Sequence, residues 1–209
     1  DLWRTTGDIG DSWNSLSSIG FAQDKNSPYA GPSAWNDPDM LVLGYVGWGA
    51  SLSPTRLTPD EQYSHISLWS LLAAPLLLGC DMERLDDFTL NLITNDEVIA
   101  VNQDALGKQA VPLVREEGME VWVKELEDGS KAAGVFYTGS SNTDPVEMFN
   151  WDEGKTSRKI AVDLAALGFT GKCTVRDLWR QQELGAFTGT FDTEVPFHGV
   201  TLVKITATE

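Results

Sequence analysis

The chain has 209 residues, 42% hydrophobic and 22% charged, which suffices for a sizeable core in one or two domains of ordinary globular composition. With 15 basic against 31 acidic side chains, its formal charge of −16 argues against nucleic-acid phosphates or an anionic membrane surface as partner and leaves a neutral ligand such as a sugar open. No apolar run approaches the ~18 residues of a membrane-crossing helix; the longest, Leu71 to Gly79, is interrupted by Pro75.

Residues 2 to 9 read as a short buried strand ending in the small, polar Thr5-Thr6-Gly7-Asp8. Asp11 or Ser12 then caps a helix whose Trp13, Leu16 and Ile19 recur at three-residue spacing and share one face. A Ser-, Pro- and Gly-rich loop from Lys25 to Ala34 leads to Trp35-Asn36-Asp37-Pro38-Asp39-Met40, and Met40 to Leu43 is the next apolar, strand-like run. At Thr58-Pro59-Asp60-Glu61 the threonine hydroxyl, a proline at the first helical position and Glu61 form a capping box, so a helix runs from here to about Ala73. Its Ile66, Trp69, Leu72 and Ala73 face a core, and Pro75 ends it. Leu76 to Gly79 is short and apolar enough for a buried parallel strand. Helical patterns return at Phe88 to Ile93 and Asp96 to Val101, the second with Thr94 and Glu97 in capping-box spacing.

Strands alternating with helices imply parallel βαβ units, and three strands are too few to close a barrel. After Gln109 the pattern changes to short runs rich in β-branched and aromatic residues. These are Val111 to Val114, Met119 to Leu126, Ala132 to Thr138, Arg158 to Leu164, Cys173 to Leu178, Thr188 to Val195 and Val200 to Thr206. Turn residues such as Glu127 to Ser130 and Gly139 to Asn142 separate them, and the spacing predicts an antiparallel β-sandwich. The expected organisation is therefore α/β plus all-β, divided into residues 1–109 and 110–209. The two cysteines, Cys80 and Cys173, fall in different parts and read as buried free thiols.

Asp8 follows a strand and adjoins Gly7, where a backbone can approach a substrate; an aspartate in such a turn is also a common cap. Arg4, four residues earlier on the same strand, projects to the same side, where its donors either hold hydroxyls or form a structural ion pair. Pro38 fixes the backbone between Asp37 and Asp39. A metal reading of that pair is poor, because calcium needs about six oxygens and no ligand ladder is visible. Trp35 and Trp48 suit either stacking on a pyranose or core packing, Asp81 either a cleft or a helix cap, and His65 and His198 read as structural.

Several of these stretches carry a resemblance. Trp3 to Trp13, Trp35 to Met40, Ala74 to Leu78 with Asp81, and Val98 to Asp104 with Leu106 to Gln109 are similar, in that order, to the second half of glycoside hydrolase family 27. That family contains α-galactosidases and α-N-acetylgalactosaminidases. The resemblance implies the last three βα units of a (β/α)8 TIM barrel followed by a β-sandwich domain. It also implies a retaining α-galactosidase acting on terminal α-linked galactose, with Asp8 as general acid/base and with Arg4, Asp39 and Met40 at the sugar; the alternatives are an α-N-acetylgalactosaminidase or β-L-arabinopyranosidase of the same family, or a non-catalytic carbohydrate-binding fragment. No cofactor and no metal are implied. The family's nucleophile belongs to a Lys-x-Asp motif on an earlier strand, and no strand-borne copy occurs here, so residues 1–209 are expected to be inactive alone. Besides the carbohydrate substrate, the expected partner is the N-terminal half of the same enzyme, or a second copy covering the same barrel edge; nucleic acid and membrane are not expected.

Overall fold

The computed structural model describes residues 1–47, 51–116, 118–139 and 157–208. Strand β1 (Leu2–Arg4) pairs in parallel with β2 (Trp35–Asp37), Leu2 opposite Trp35 and Arg4 opposite Asp37. Between them lie α1 (Trp13–Gly20) and a 3-10 helix, Gln23–Tyr29, inside the segment expected to be loop. Ser12 is the α1 cap, its hydroxyl accepting from the Ser15 N–H. The strand expected over residues 2 to 9 is thus three residues long and exposed, because β2 is its one partner among the described residues and no layer covers it.

Two further expectations shift. The ladder falls on Trp35–Asp37 rather than on Met40 to Leu43, since Asp39 at φ 85° breaks the extended run. Leu41, Val42 and Leu43 are buried, but the next parallel contact is an isolated bridge from Leu41 to Leu78. Leu77 and Leu78 are 48% and 38% exposed, so Leu76 to Gly79 is an uncovered edge rather than a buried strand. Its hydrogen bonds remain parallel-like, from Leu41 N to Leu77 O at 2.7 Å and from Gly79 N to Leu41 O at 2.9 Å. A small antiparallel pair, β3 (Tyr45–Val46) and β4 (Ser53–Pro54), rises between Leu43 and the next helix.

That helix, α2 (Pro59–Leu71), is the axis of the molecule. Thr58 and Glu61 make the reciprocal capping box that the sequence predicts. It ends before Pro75, through a left-handed Ala73 at φ 51° whose N–H reaches Ser70 O while the Ala74 N–H reaches Trp69 O. This is a Schellman-type close with alanine where glycine is usual. Nearly every side of α2 is buried, serines included, because a β-sheet covers the face opposite the barrel strands. Gly134 permits that approach: a Cβ there would lie 2.6 Å from Leu71 Cδ1 and from Phe136 Cε2. Helices α3 (Asp87–Ile93) and α4 (Asp96–Asn102) follow. Asn95, not Thr94, caps α4, and Glu97 leaves the expected capping box to pair with Arg176.

The sheet consists of β5 (Val111–Glu116), β6 (Met119–Glu125), β7 (Lys131–Tyr137), β9 (Cys173–Asp177), β10 (Gln182–Phe187) and β12 (Val200–Ala207). Its order is β10-β9-β12-β7-β6-β5, antiparallel throughout, and β8 (Ser157–Asp163) with β11 (Thr190–Pro196) forms the facing ribbon. Period-two alternation makes two cores. Val121, Ala133, Val135, Val203 and Ile205 meet Ile160, Val162, Phe191 and Val195 of the ribbon. Trp122, Ala132, Phe136 and Leu202 point the other way, into the cluster that holds α2. Each such large apolar side chain contributes on the order of 1.5–3 kcal/mol of burial. Strand β10 had no apolar signature because it is an exposed edge with a bulge between Glu183 and Gly185. Of the Gly139 to Asn142 turn, residues 140–142 lie outside the described residues, as does Trp48.

Candidate active site

Parallel pairing of β1 with β2 sets Arg4 beside Asp37, and the chain after each strand turns over the same end. Asp8 does not share a strand face with Arg4, because β1 stops at Arg4. The Thr5 to Gly7 turn brings it back instead, and the guanidinium follows the turn. Arg4 Nη2 donates to Gly7 O at 3.0 Å and Asp8 Oδ1 at 3.3 Å, and lies 3.0 Å from Asp39 Oδ2. One guanidinium nitrogen therefore joins the two carboxylates. Their surroundings differ sharply: the Asp8 side chain is 95% exposed and that of Asp39 11%.

Asp39 is held from several sides. Its Oδ2 accepts the Ile9 N–H at 2.8 Å and its Oδ1 the Met40 N–H at 2.8 Å, while its own N–H reaches Asp37 Oδ1 at 2.9 Å. Asp37 thus works as a loop fastener. Met40 lies over Gly79, where a Cβ would stand 2.5 Å from the methionine sulfur. Beneath the turn, His65 Nε2 accepts the Val42 N–H at 3.2 Å; burial pushes this imidazole down to about 3, so it stays neutral and accepts through Nε2. Among the described residues no three His, Cys, Asp or Glu side chains converge as a metal site.

The remaining candidates have structural duties. Asp81 caps a 3-10 turn at Met82–Arg84, accepting the Glu83 N–H at 3.0 Å and pairing with Arg84. Trp35 packs toward Pro32 and Gly107, near the start of β2 and hence away from the Asp39 end. His198 is stacked between Trp13 and Phe197, with Nδ1 2.7 Å from Glu61 Oε1, and fastens the sheet to α2. Cys80 and Cys173 are free thiols, Cys80 half-buried and Cys173 buried. Asp11, offered as a helix cap, instead takes the Arg56 side chain at 2.8 Å and its N–H at 3.0 Å, tying the acid loop to the segment before α2. Burial raises the pKa of Asp11, but the Arg56 hydrogen bonds and charge outweigh it and hold the carboxyl below its usual value. Sequence reasoning missed this pair and the Ile9 N–H donor: partners 45 positions apart leave no local pattern, and a main-chain donor leaves none at all.

Comparison with known proteins accords with this geometry. Residues 1–104 match the family model described as alpha galactosidase A, and residues 116–205 the alpha galactosidase C-terminal beta sandwich domain. An alpha-galactosidase of Cyamopsis tetragonoloba is 39% identical over 204 residues, covering 98% of this chain and 44% of the relative. Alpha-galactosidase A of Homo sapiens is 35% identical over 170 residues, covering 79% and 34%. Among solved structures, a GH27 β-L-arabinopyranosidase from Geobacillus stearothermophilus superposes with a TM-score of 0.85 at 29% identity, over 99% of this chain and 45% of that one. A putative alpha-galactosidase/melibiase from Bacteroides fragilis gives 0.81 at 31%, over 99% and 42%. The chain spans less than half the length of these relatives. The two matched models, the parallel βα segment carrying Arg4, Asp8 and Asp39, and the sandwich behind α2 together place the chain in glycoside hydrolase family 27.

Proposed function

We propose that the whole protein is a retaining α-galactosidase that hydrolyses terminal α-linked galactose, with Asp8 as general acid/base. The observation that carries this reading is the shared Arg4 nitrogen, 3.3 Å from the exposed Asp8 carboxylate and 3.0 Å from the buried Asp39 carboxylate. In such a mechanism a carboxylate from outside residues 1–209 attacks the anomeric carbon while Asp8 gives its proton to the departing oxygen. Asp8 then takes a proton from water, and the water oxygen releases the sugar. An acid/base must reach both leaving group and solvent, which suits the exposure of Asp8. A group that holds sugar hydroxyls must not move, which suits Asp39, pinned by two backbone N–H donors. Arg4, Asp39 and Met40 form the substrate side of the site in this proposal, and no cofactor enters it.

Residues 1–109 are proposed as part of the catalytic barrel and 110–209 as a sandwich that stabilises it. Exposed Leu2, Trp3, Leu77 and Leu78 along the parallel segment support a further part of the barrel as the covering partner. The likeness to a β-L-arabinopyranosidase at TM-score 0.85 favours one second reading, the same chemistry on a sugar lacking the hydroxymethyl group of galactose.

In the full-length protein, Asp8→Asn is expected to lower turnover of an aryl α-galactoside at least a hundredfold while galactose binding persists. Undiminished turnover would exclude Asp8 from the chemistry. Equal binding with no turnover by either protein would favour a carbohydrate-binding module. Parallel assays with an aryl β-L-arabinopyranoside decide between the two sugars.

A further inference from the structure

We infer that Trp69, buried in the last turn of α2, is a positioning residue that sets the Asp39 carboxylate, and through it Arg4 and Asp8; this rests on the glycosidase reading above. A buried indole N–H needs an acceptor. That of Trp69 donates to the main-chain carbonyl of Asp39 at 2.7 Å, with the ring 0% exposed. The choice of acceptor matters, because Asp39 has φ 85°, a left-handed conformation that a residue with a Cβ keeps where its surroundings over-determine it.

The peptide between Asp39 and Met40 is gripped at both ends. Trp69 holds its oxygen, and Asp39 Oδ1 accepts its N–H at 2.8 Å. If that peptide turned, the carboxylate would lose the Met40 N–H, swing from the Ile9 N–H and leave Arg4 with Asp8 as its one acidic partner here. The chain of contacts runs Trp69, Asp39, Arg4, Asp8. His65, four residues earlier on the same helix, meets the indole edge-on at 4.3 Å and holds Val42 on the far side of Met40. Helix α2 therefore grips the turn on both flanks of the sugar-side residues. Trp69 itself touches no solvent, so its influence on substrate runs entirely through the turn.

The test uses the full-length protein with an aryl α-galactoside, at a temperature well below unfolding. Trp69→Phe removes the N–H and keeps a buried ring. It is expected to lower kcat/KM about tenfold and to weaken galactose binding, measured by calorimetry, by a similar factor, since small displacements of a positioned group are costly. Val135→Ala, in the sheet core away from the turn, serves as a control of comparable thermal destabilisation and should keep both quantities within twofold of the parent. Site-specific β-(3-benzothienyl)alanine at position 69 replaces the N–H by sulfur without a cavity and should reproduce the tenfold losses even if Trp69→Phe folds poorly. Parent-like kinetics for the benzothienyl variant, or equal losses in the Val135→Ala control, would overturn the inference. Full activity of Asp8→Asn would instead overturn the assignment of Asp8 as acid/base beneath it; no turnover by any of the proteins, the parent included, would overturn the glycosidase reading; an inactive Asp8→Asn beside an unaffected position-69 variant removes the role of Trp69 alone.

Discussion

Lys124 offers a quantitative test of how this fold treats a buried charge. It sits in β6 opposite Ala132, is 0% exposed, and its ammonium has no hydrogen-bond partner among the described residues. Burial pushes it from 10.5 down to about 8, with Asp104 offsetting part of the loss from a distance. Each unit of such a shift corresponds to about 1.4 kcal/mol, so the folded state carries a penalty of about 3 kcal/mol wherever folded and unfolded chains are both protonated. Because the folded value lies below the unfolded one, the penalty is complete below pH 8. It fades as pH rises from 8 toward 10.5, where the unfolded chain also gives up the proton. Lys124→Met keeps the length of the side chain and removes the charge. It should stabilise the protein by about 2–3 kcal/mol at pH 7, raise Tm by roughly 5–10 °C, and lose most of that gain by pH 10.5. Urea denaturation of parent and variant in parallel at pH 7, 9 and 10.5 measures it. A gain equal at all three pH values would mean that added apolar burial, not desolvation of the ammonium, is responsible; a loss at pH 7 would mean that the charge is satisfied after all.

Three further outcomes follow from the same packing. His65, held down to about 3 against 6.5 in the unfolded chain, should cost the fold stability as pH drops from about 6.5 toward 3, while His65→Gln, whose amide oxygen still meets the Val42 N–H, should flatten that slope. Plots of unfolding free energy against pH that stay parallel between pH 6.5 and 4.5 would contradict this. Gly134→Ala would force a Cβ to 2.6 Å from Leu71 and Phe136 and should destabilise by about 1–3 kcal/mol, read as a lower Tm. Arg176 grips Glu97 at 2.6 and 2.8 Å across the junction of β9 and α4. A double-mutant cycle of Arg176→Met and Glu97→Gln should show a favourable coupling that weakens in 1 M salt, and a coupling of zero would make the pair ornamental.

Local chemistry determined much of this molecule directly. Thr58, Pro59 and Glu61 start α2 because hydroxyl, pyrrolidine ring and carboxylate each satisfy an end-of-helix requirement within one turn. Short runs rich in apolar and β-branched residues mark β6, β7 and β12, because strands covered by a core on both faces carry apolar side chains on both. The motifs around Asp8 and Asp39 were visible for a similar reason: their carboxylates lie close to the glycine and proline that shape their turns. Expectations failed where the deciding partner was remote. Strand length and exposure at β1 and at Leu77 depend on which neighbours cover an edge, and β10 lies at an edge where apolar character is not required. Only the tertiary structure could place Arg4 between two carboxylates 31 positions apart, set Trp69 under Asp39, or bury the Lys124 ammonium. Those arrangements arise when α2 is pressed between a parallel segment and an antiparallel sheet, and a contact created by packing leaves no period in the chain.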